Sequence, residues 1–231
     1  MKALALDHKP SHFHDPAAIA TYATGIVRNV PGLADLHRMV MLLLAEAAPA
    51  EAQILVVGAG GGMETKAMAE AQAAWCFTGV DPSPAMLDLA RQMLAPFADR
   101  VDLREGTIDQ ASEGPFDGAT CLFTLHHLDL DARRKTLAGI RRRLAPGTRL
   151  VVAAHAPLSP APERWIALSV AFGDRDGPDW SKAAAAGRMM TQRLPLLTPA
   201  QEESMLREAG FADVELFYAA FSFRGWVGTA G

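Results

Sequence analysis

The chain has 231 residues, 50% of them hydrophobic and 21% charged, enough for one sizeable core and too few for two. A formal net charge of −4 and a pI near 6.0 leave no summed positive field to gather phosphates or anionic lipid. Small molecules are therefore the expected partners, with no direct contact to nucleic acid or membrane. No uninterrupted apolar stretch reaches the roughly 20 residues a bilayer requires, and no basic region followed by an apolar one opens the chain, so the expected location is the cytoplasm. Cys76 and Cys121 both lie in apolar runs, where a thiol acts as a small hydrophobe, and imply neither a disulfide framework nor a zinc ligand set.

In chain order, the polar segment up to Pro16 carries His8, His12 and His14 beside Asp15, but it lacks the held geometry a metal site needs, and no metal is expected. Residues 17–28 and 33–48 repeat apolar positions at helical spacing on either side of Pro31-Gly32, which reads as an N-terminal helical cap over residues 1–50. The remainder, 51–231, reads as one α/β domain. Gln53-Ile-Leu-Val-Val57 is a buried strand that ends in Gly58-Ala-Gly-Gly-Gly62. Helical composition at 63–74 and 84–94 alternates with strands at 75–80, 101–105 and 118–123. A helix over 131–144 stops at Pro146-Gly147, and a fifth strand follows at 149–154. Such alternation implies right-handed crossovers and a doubly wound, mostly parallel sheet. Residues 157–197 break the pattern with two helices, near 165–172 and 180–193, and read as an insertion. A helix start at Thr198-Pro199 and an end at Ala209-Gly210 precede two apolar runs, 214–219 and 221–226, that pair as an antiparallel C-terminal hairpin and bring the sheet to seven strands. The basic run Arg133-Arg134-Lys135 with Arg141-Arg142-Arg143 lies on a helix and reads as a solvated face.

The glycine turn is the strongest chemical signal. Gly58 and Gly60 permit backbone conformations denied to residues with a Cβ, so the chain can approach a ligand at the amino end of the next helix. About twenty residues on, the second strand ends at Asp81, where a carboxylate can accept from both hydroxyls of a ribose. Turn and carboxylate together indicate an adenosine site. The dinucleotide fingerprint places a small residue where this chain has Met63, and Gly-x-Gly-x-Gly suits a cofactor with no pyrophosphate to cradle.

Val57-Gly-Ala-Gly-Gly-Gly62, Gly79-Val-Asp-Pro-Ser-Pro-Ala-Met86, Glu105-Gly-Thr-Ile-Asp109, Phe116-Asp117 and Leu125-His-His-Leu128 resemble, in order, the motifs of class I S-adenosylmethionine-dependent methyltransferases. The resemblance implies S-adenosylmethionine as cofactor and S-adenosylhomocysteine as product. It implies that Gly58, Ala59, Gly60 and Gly62 face the methionine moiety and that Asp81 holds the ribose. Pro82, Ser83 and Met86 would then flank the adenine, Thr107, Ile108 and Asp109 would meet its edge, and Leu122, Phe123 and Thr124 would lie beneath the cofactor's amino group. Thr107 stands where that family commonly has an acidic residue, which leaves the adenine amino group to Asp109 or to backbone.

Ile26-Val-Arg-Asn-Val-Pro-Gly32, Phe123-Thr-Leu125, Gly187-Arg-Met-Met190 and Ala209-Gly-Phe211 extend the resemblance over nearly the whole chain to the carboxy-S-adenosylmethionine synthase family, which makes the modified cofactor used on tRNA wobble uridines. Arg188 matches the arginine that holds the extra carboxylate there, and an always-charged fork suits an anion. Because that residue reaches across to a neighbouring subunit, the resemblance also implies a homodimer. Arg28 is a second candidate for the cofactor carboxylate, or for a surface acid. Leu33, Thr107 and Leu122 depart from that family's tyrosine, acidic residue and asparagine. The expected activity is methyl transfer to a small-molecule acceptor, with a carboxylating synthase or a non-catalytic cofactor-binding protein as alternatives. His126, His127 and His155, at the ends of the fourth and fifth strands, are the candidate general bases, with packing as their other reading. Trp165, Phe172 and Trp180 line either an acceptor pocket or the core of a lid or dimer contact.

Overall fold

A computed structural model of the chain describes residues 25–231; the histidine cluster at His8, His12, His14 and Asp15 and most of the helix expected at 17–28 lie outside the described residues. The first apolar repeat after Gly32 forms α1 (Leu33–Ala45), and β-branched runs with intervening helices then alternate. They are β1 (Gln53–Val57), α2 (Met63–Ala71), β2 (Cys76–Asp81), α3 (Pro84–Met93), β3 (Val101–Glu105), β4 (Phe116–Leu122), α4 (Leu130–Arg143) and β5 (Leu144–His155). The insertion supplies α5 (Pro162–Gly173) and α6 (Trp180–Arg193), and α7 (Pro199–Glu208), β6 (Phe211–Ala220) and β7 (Phe223–Ala230) complete the chain.

The seven strands run in the order β3-β2-β1-β4-β5-β7-β6. The pairs among β1 to β5 are parallel, whereas β7 is antiparallel to both β5 and β6. The chain works outward from β1 to β3, then crosses back to lay β4 on the other side of β1. That reversal opens a crevice at the carboxyl ends of β1 and β4, the place where open α/β sheets bind ligands. Side-chain alternation splits the core between the two faces. Ile54, Val56 and Leu122 pack under Leu36, Val40 and Leu44 of α1 and Met68 of α2, whereas Leu55, Val57, Cys121 and Val152 pack under Leu137 and Ile140 of α4 and Leu206 of α7.

Three local expectations change in the structure. Pro146-Gly147 does not stop α4: the helix ends at Arg143, and β5 begins at Leu144 through an irregular register between Phe116↔Leu144 and Gly118↔Arg149. A bulged strand start tolerates a proline without an N–H and a glycine at φ 81°, so neither has to end the element. The hairpin is longer than its apolar runs, because residues beyond them, the polar Thr229 included, remain paired with β5. The basic run on α4 is not a uniformly solvated face. Arg133 is fully buried, donating to Glu202 and to the carbonyl of Pro195 (2.9 Å), and Arg143 is buried against the carbonyls of Ser112 and Gly139.

The insertion helices pack on each other. Gly187 lets α6 approach so closely that a Cβ there would run into the backbone of Glu163 on α5. Tyr218 on β6 donates to the carbonyl of Pro31 at 2.6 Å and so fixes the start of α1 against the sheet.

Candidate cofactor site

The bend after β1 is built by three residues in the left-handed region: Gly58 at φ 75°, Gly60 at 52° and Gly62 at 83°. Side chains rarely adopt that region without cost. Gly58 has a second reason to be glycine, since the Thr124 side chain lies where its Cβ would stand. Thr124 is held there by its own hydroxyl, which donates to the carbonyl of Leu122 at 3.1 Å. Gly60 has room for a Cβ, with Met86 Cε 3.5 Å from that position, so its requirement is conformational. The amides of Gly58 and Ala59 both donate to the carbonyl of Val80, at 2.9 and 3.0 Å, which joins the bend to the end of β2.

Asp81 closes that junction. Its Oδ2 accepts from the amide of Gly60 and its Oδ1 from the amide of Ser83, both at 2.9 Å. The carboxyl is 8% exposed; burial raises its pKa, and the two amides oppose that rise. Each oxygen accepts one backbone N–H and keeps further lone-pair capacity for a ligand hydroxyl. Ser83 caps α3 by accepting from the amide of Met86, and Met86, buried, stands against the glycine bend. The sequence-predicted residues Gly58, Ala59, Gly60, Gly62, Asp81, Pro82, Ser83 and Met86 therefore gather at the ends of β1 and β2.

At the end of β3, Thr107 caps a short 3-10 turn over Ile108–Gln110 and is exposed, as is Asp109. Ile108 is buried instead against α4, where it fills the space a Cβ on Gly139 would need, and so it serves the core beneath the edge. At the end of β4, Leu122 and Phe123 are buried. Phe123 sits at φ 55°, its ring edge-on to Phe223 at 5.6 Å, and its amide donates to the carbonyl of Ala153 at 2.6 Å. A non-glycine residue in that conformation stores strain of the kind that clusters at ligand sites.

The three histidines separate. His126 is buried, and its Nδ1 accepts from the amide of His155 at 3.3 Å. His155 is buried with Nδ1 2.9 Å from Ser222 Oγ, which lies 2.7 Å from Ser169 Oγ on α5. Burial drives the pKa of His155 down to about 3 and that of His126 well below the ordinary histidine range. Their rings belong to a hydrogen-bonded strut that ties the sheet edge to the insertion. His127 is half-buried, with its ring 4.3 Å from that of His126.

The arginines do not join the glycine bend. Arg28 donates from Nε and Nη2 to the carbonyl of Gly173 at 3.1 and 2.9 Å, and so caps α5 where the sequence offered a cofactor carboxylate or a surface acid. Arg188 is exposed on α6 and lines a cleft of about 450 Å³ between α5 and α6 with Glu163, Arg164, Ala167, Ala184, Thr191 and Gln192. Phe172 stacks near Phe221 at 6.0 Å, and Trp180 is 59% exposed, so the insertion aromatics do not form one pocket.

Sequence reasoning passed over Glu64, the second residue of α2. Its carboxyl is buried, accepts from Thr120 Oγ1 on β4, and is pushed up to about 8 by burial, which the Thr120 hydrogen bond only partly offsets. An acidic residue in a first helical turn is ordinary, and nothing in its spacing showed that it turns inward.

Residues 55–150 match the family model described as a methyltransferase domain. The chain is 26% identical to the carboxy-S-adenosyl-L-methionine synthase of Aeromonas hydrophila over 90% of its own length and 86% of that protein's. Among solved structures it is similar to an O-methyltransferase family protein from Burkholderia thailandensis (TM-score 0.70, 17% identity, 96% of this chain and 62% of that one). It is also similar to human N-acetylserotonin methyltransferase in complex with SAM (TM-score 0.61, 16% identity, 94% of this chain and 57% of that one). The chain thus spans less than two thirds of the length of these two structures, which share its fold. Residues 55–150 are thus similar to a methyltransferase domain, the chain resembles carboxy-S-adenosyl-L-methionine synthases over most of its length, and it shares the fold of solved methyltransferases, with its crevice at the sheet's reversal point.

Proposed function

We propose that the protein binds S-adenosylmethionine across the ends of β2, β1 and β4 and transfers its methyl group to a small-molecule acceptor, leaving S-adenosylhomocysteine. The observation that carries this reading is Asp81, a buried carboxylate held by the amides of Gly60 and Ser83 beside a left-handed glycine bend. These residues fit the cofactor: Asp81 accepts from the ribose hydroxyls, the bend admits the chain carrying the sulfonium, and Met86 packs against the base. When bound, the cofactor supplies an already activated methyl group. The protein's task is then alignment and exclusion of water. The insertion over α5 and α6 serves as the enclosure, tied to the core by Arg28 and by the Ser169–Ser222–His155 strut. His127, unlike its two neighbours, keeps solvent access and is the base assigned to an acceptor hydroxyl or amine.

Whole-length similarity to carboxy-S-adenosyl-L-methionine synthases supports a second reading, in which the methyl group of the cofactor itself is carboxylated and Arg188 binds the added carboxylate across a homodimer. Exposed Trp180 and Met189 on α6 support such a dimer. Among the described residues no helix is long and apolar enough to cross a membrane. Mass spectrometry of ligand extracted from purified protein separates the two chemistries, because the carboxylated cofactor is heavier. Isothermal titration with S-adenosylhomocysteine tests the shared premise. Asp81→Ala is expected to weaken binding at least tenfold with the fold intact, and unchanged affinity would remove the assignment.

A further inference from the structure

We infer that Glu64 is the carboxylate that grips the ammonium group on the amino-acid arm of the cofactor, at the β4 side of the glycine bend. The inference rests on the assignment of S-adenosylmethionine to this site and adds a residue to it.

Strand order fixes where the arm must go. With the ribose at Asp81 on β2, a ligand lying along the edge crosses β1 and reaches β4, two strand spacings or about 10 Å away. An amino-acid arm of carbon and sulfur attached to the ribose spans that distance. At its far end the strands themselves offer no charge, since Val56 and Val57 end β1, and Leu122 ends β4 with Phe123 next in the chain. The carboxyl of Glu64 enters from the helix side. It meets Thr120, which is in register with Val56 and lies two residues, about 7 Å, below Leu122 at the edge. Thr124, just above, is the residue packed against Gly58. Glu64 thus sits under the turn on the β4 side, opposite Asp81 across β1.

The electrostatics differ between the two acids in the same sense. Asp81 has two backbone amides, whereas Glu64 has one hydroxyl and, among the described residues, no ion pair. A buried carboxylate with so little support is expensive, which is why this group holds its proton in the free protein. A cation placed against it reverses that balance and makes the charged form the favoured one. Ammonium is the charge the arm carries whether or not the methyl group has left, so the contact serves substrate and product cofactor alike.

The test compares S-adenosylhomocysteine with 5′-methylthioadenosine, which keeps the adenosine and the sulfur but lacks the amino acid. Both are titrated calorimetrically into the wild-type protein and into Glu64→Gln, which preserves size and can still pair with Thr120. The expected result is a loss of about 10- to 100-fold in affinity for S-adenosylhomocysteine and no change for methylthioadenosine, whose binding also reports that the variant is folded. Equal losses for both ligands would mean that Glu64 shapes the pocket generally, and unchanged affinities would mean that it is a neutral strut between α2 and β4; either result overturns the inference. If the wild-type protein binds neither ligand, the cofactor assignment itself fails and takes the inference with it.

Discussion

Replacing Glu64 by glutamine should stabilise the ligand-free protein, and by an amount that grows with pH. The carboxyl has an ordinary value of 4.5 and is pushed to about 8 in the fold. Below pH 4.5 it is protonated in both folded and unfolded chains and contributes nothing. Between 4.5 and about 8 the unfolded chain has given up the proton while the folded chain retains it, so stability falls as pH rises, and above about 8 the loss is complete. At about 1.4 kcal/mol per pH unit over that interval, the total is on the order of 5 kcal/mol. Glutamine is neutral throughout and escapes this loss. Thermal unfolding of both proteins from pH 5 to pH 8 is the assay. For a domain of this size the advantage of Glu64→Gln should widen by roughly 3–6 °C per pH unit. Other buried groups, His37 and His155 among them, titrate in both proteins and cancel in the difference. Melting curves that stay parallel across this range would refute the reasoning, because they would mean that Glu64 is ionised in the folded protein.

Gly58→Ala combines a left-handed backbone with a collision against Thr124, and should cost on the order of 3 kcal/mol in urea unfolding together with loss of cofactor affinity; a wild-type midpoint would contradict the packing described. Arg133→Met leaves Glu202 buried without its cation and should cost about 3–5 kcal/mol, whereas Arg133→Met with Glu202→Leu should recover most of that loss. Absence of recovery in the double variant would show that the arginine contributes through its bond to Pro195 instead.

The features legible in the sequence are those whose chemistry is local. The run Gln53–Val57 followed by Gly58 to Gly62 can hardly be anything but a buried strand and a tight bend, and Asp81 follows from where the next apolar run stops. The alternation of strands with helices then fixes a doubly wound sheet, and the two late apolar runs fix an antiparallel pair at its edge. What was not legible depends on which way a side chain turns. Arg133 and Arg134 are adjacent on one helix, yet one is fully buried and the other is exposed, because only Arg133 meets Glu202 from α7. His126 and His127 follow β4 and His155 ends β5, as their spacing required. The partners of His155 are Ser222 and, through it, Ser169, residues 67 and 14 positions along the chain whose spacing carries no signal. Glu64 was hidden for the same reason: its partner Thr120 is 56 positions away. The bulge that admits Pro146-Gly147 into β5 depends on β4 alongside, which a reading of the proline alone cannot supply.

The most direct test of the account is a crystal structure of the protein grown with S-adenosylhomocysteine. The account predicts both ribose hydroxyls within 2.6–3.2 Å of the Asp81 carboxylate and the sulfur over the bend at Gly58 to Gly60. A ligand seated elsewhere, or a sugar that makes no contact with Asp81, would contradict it.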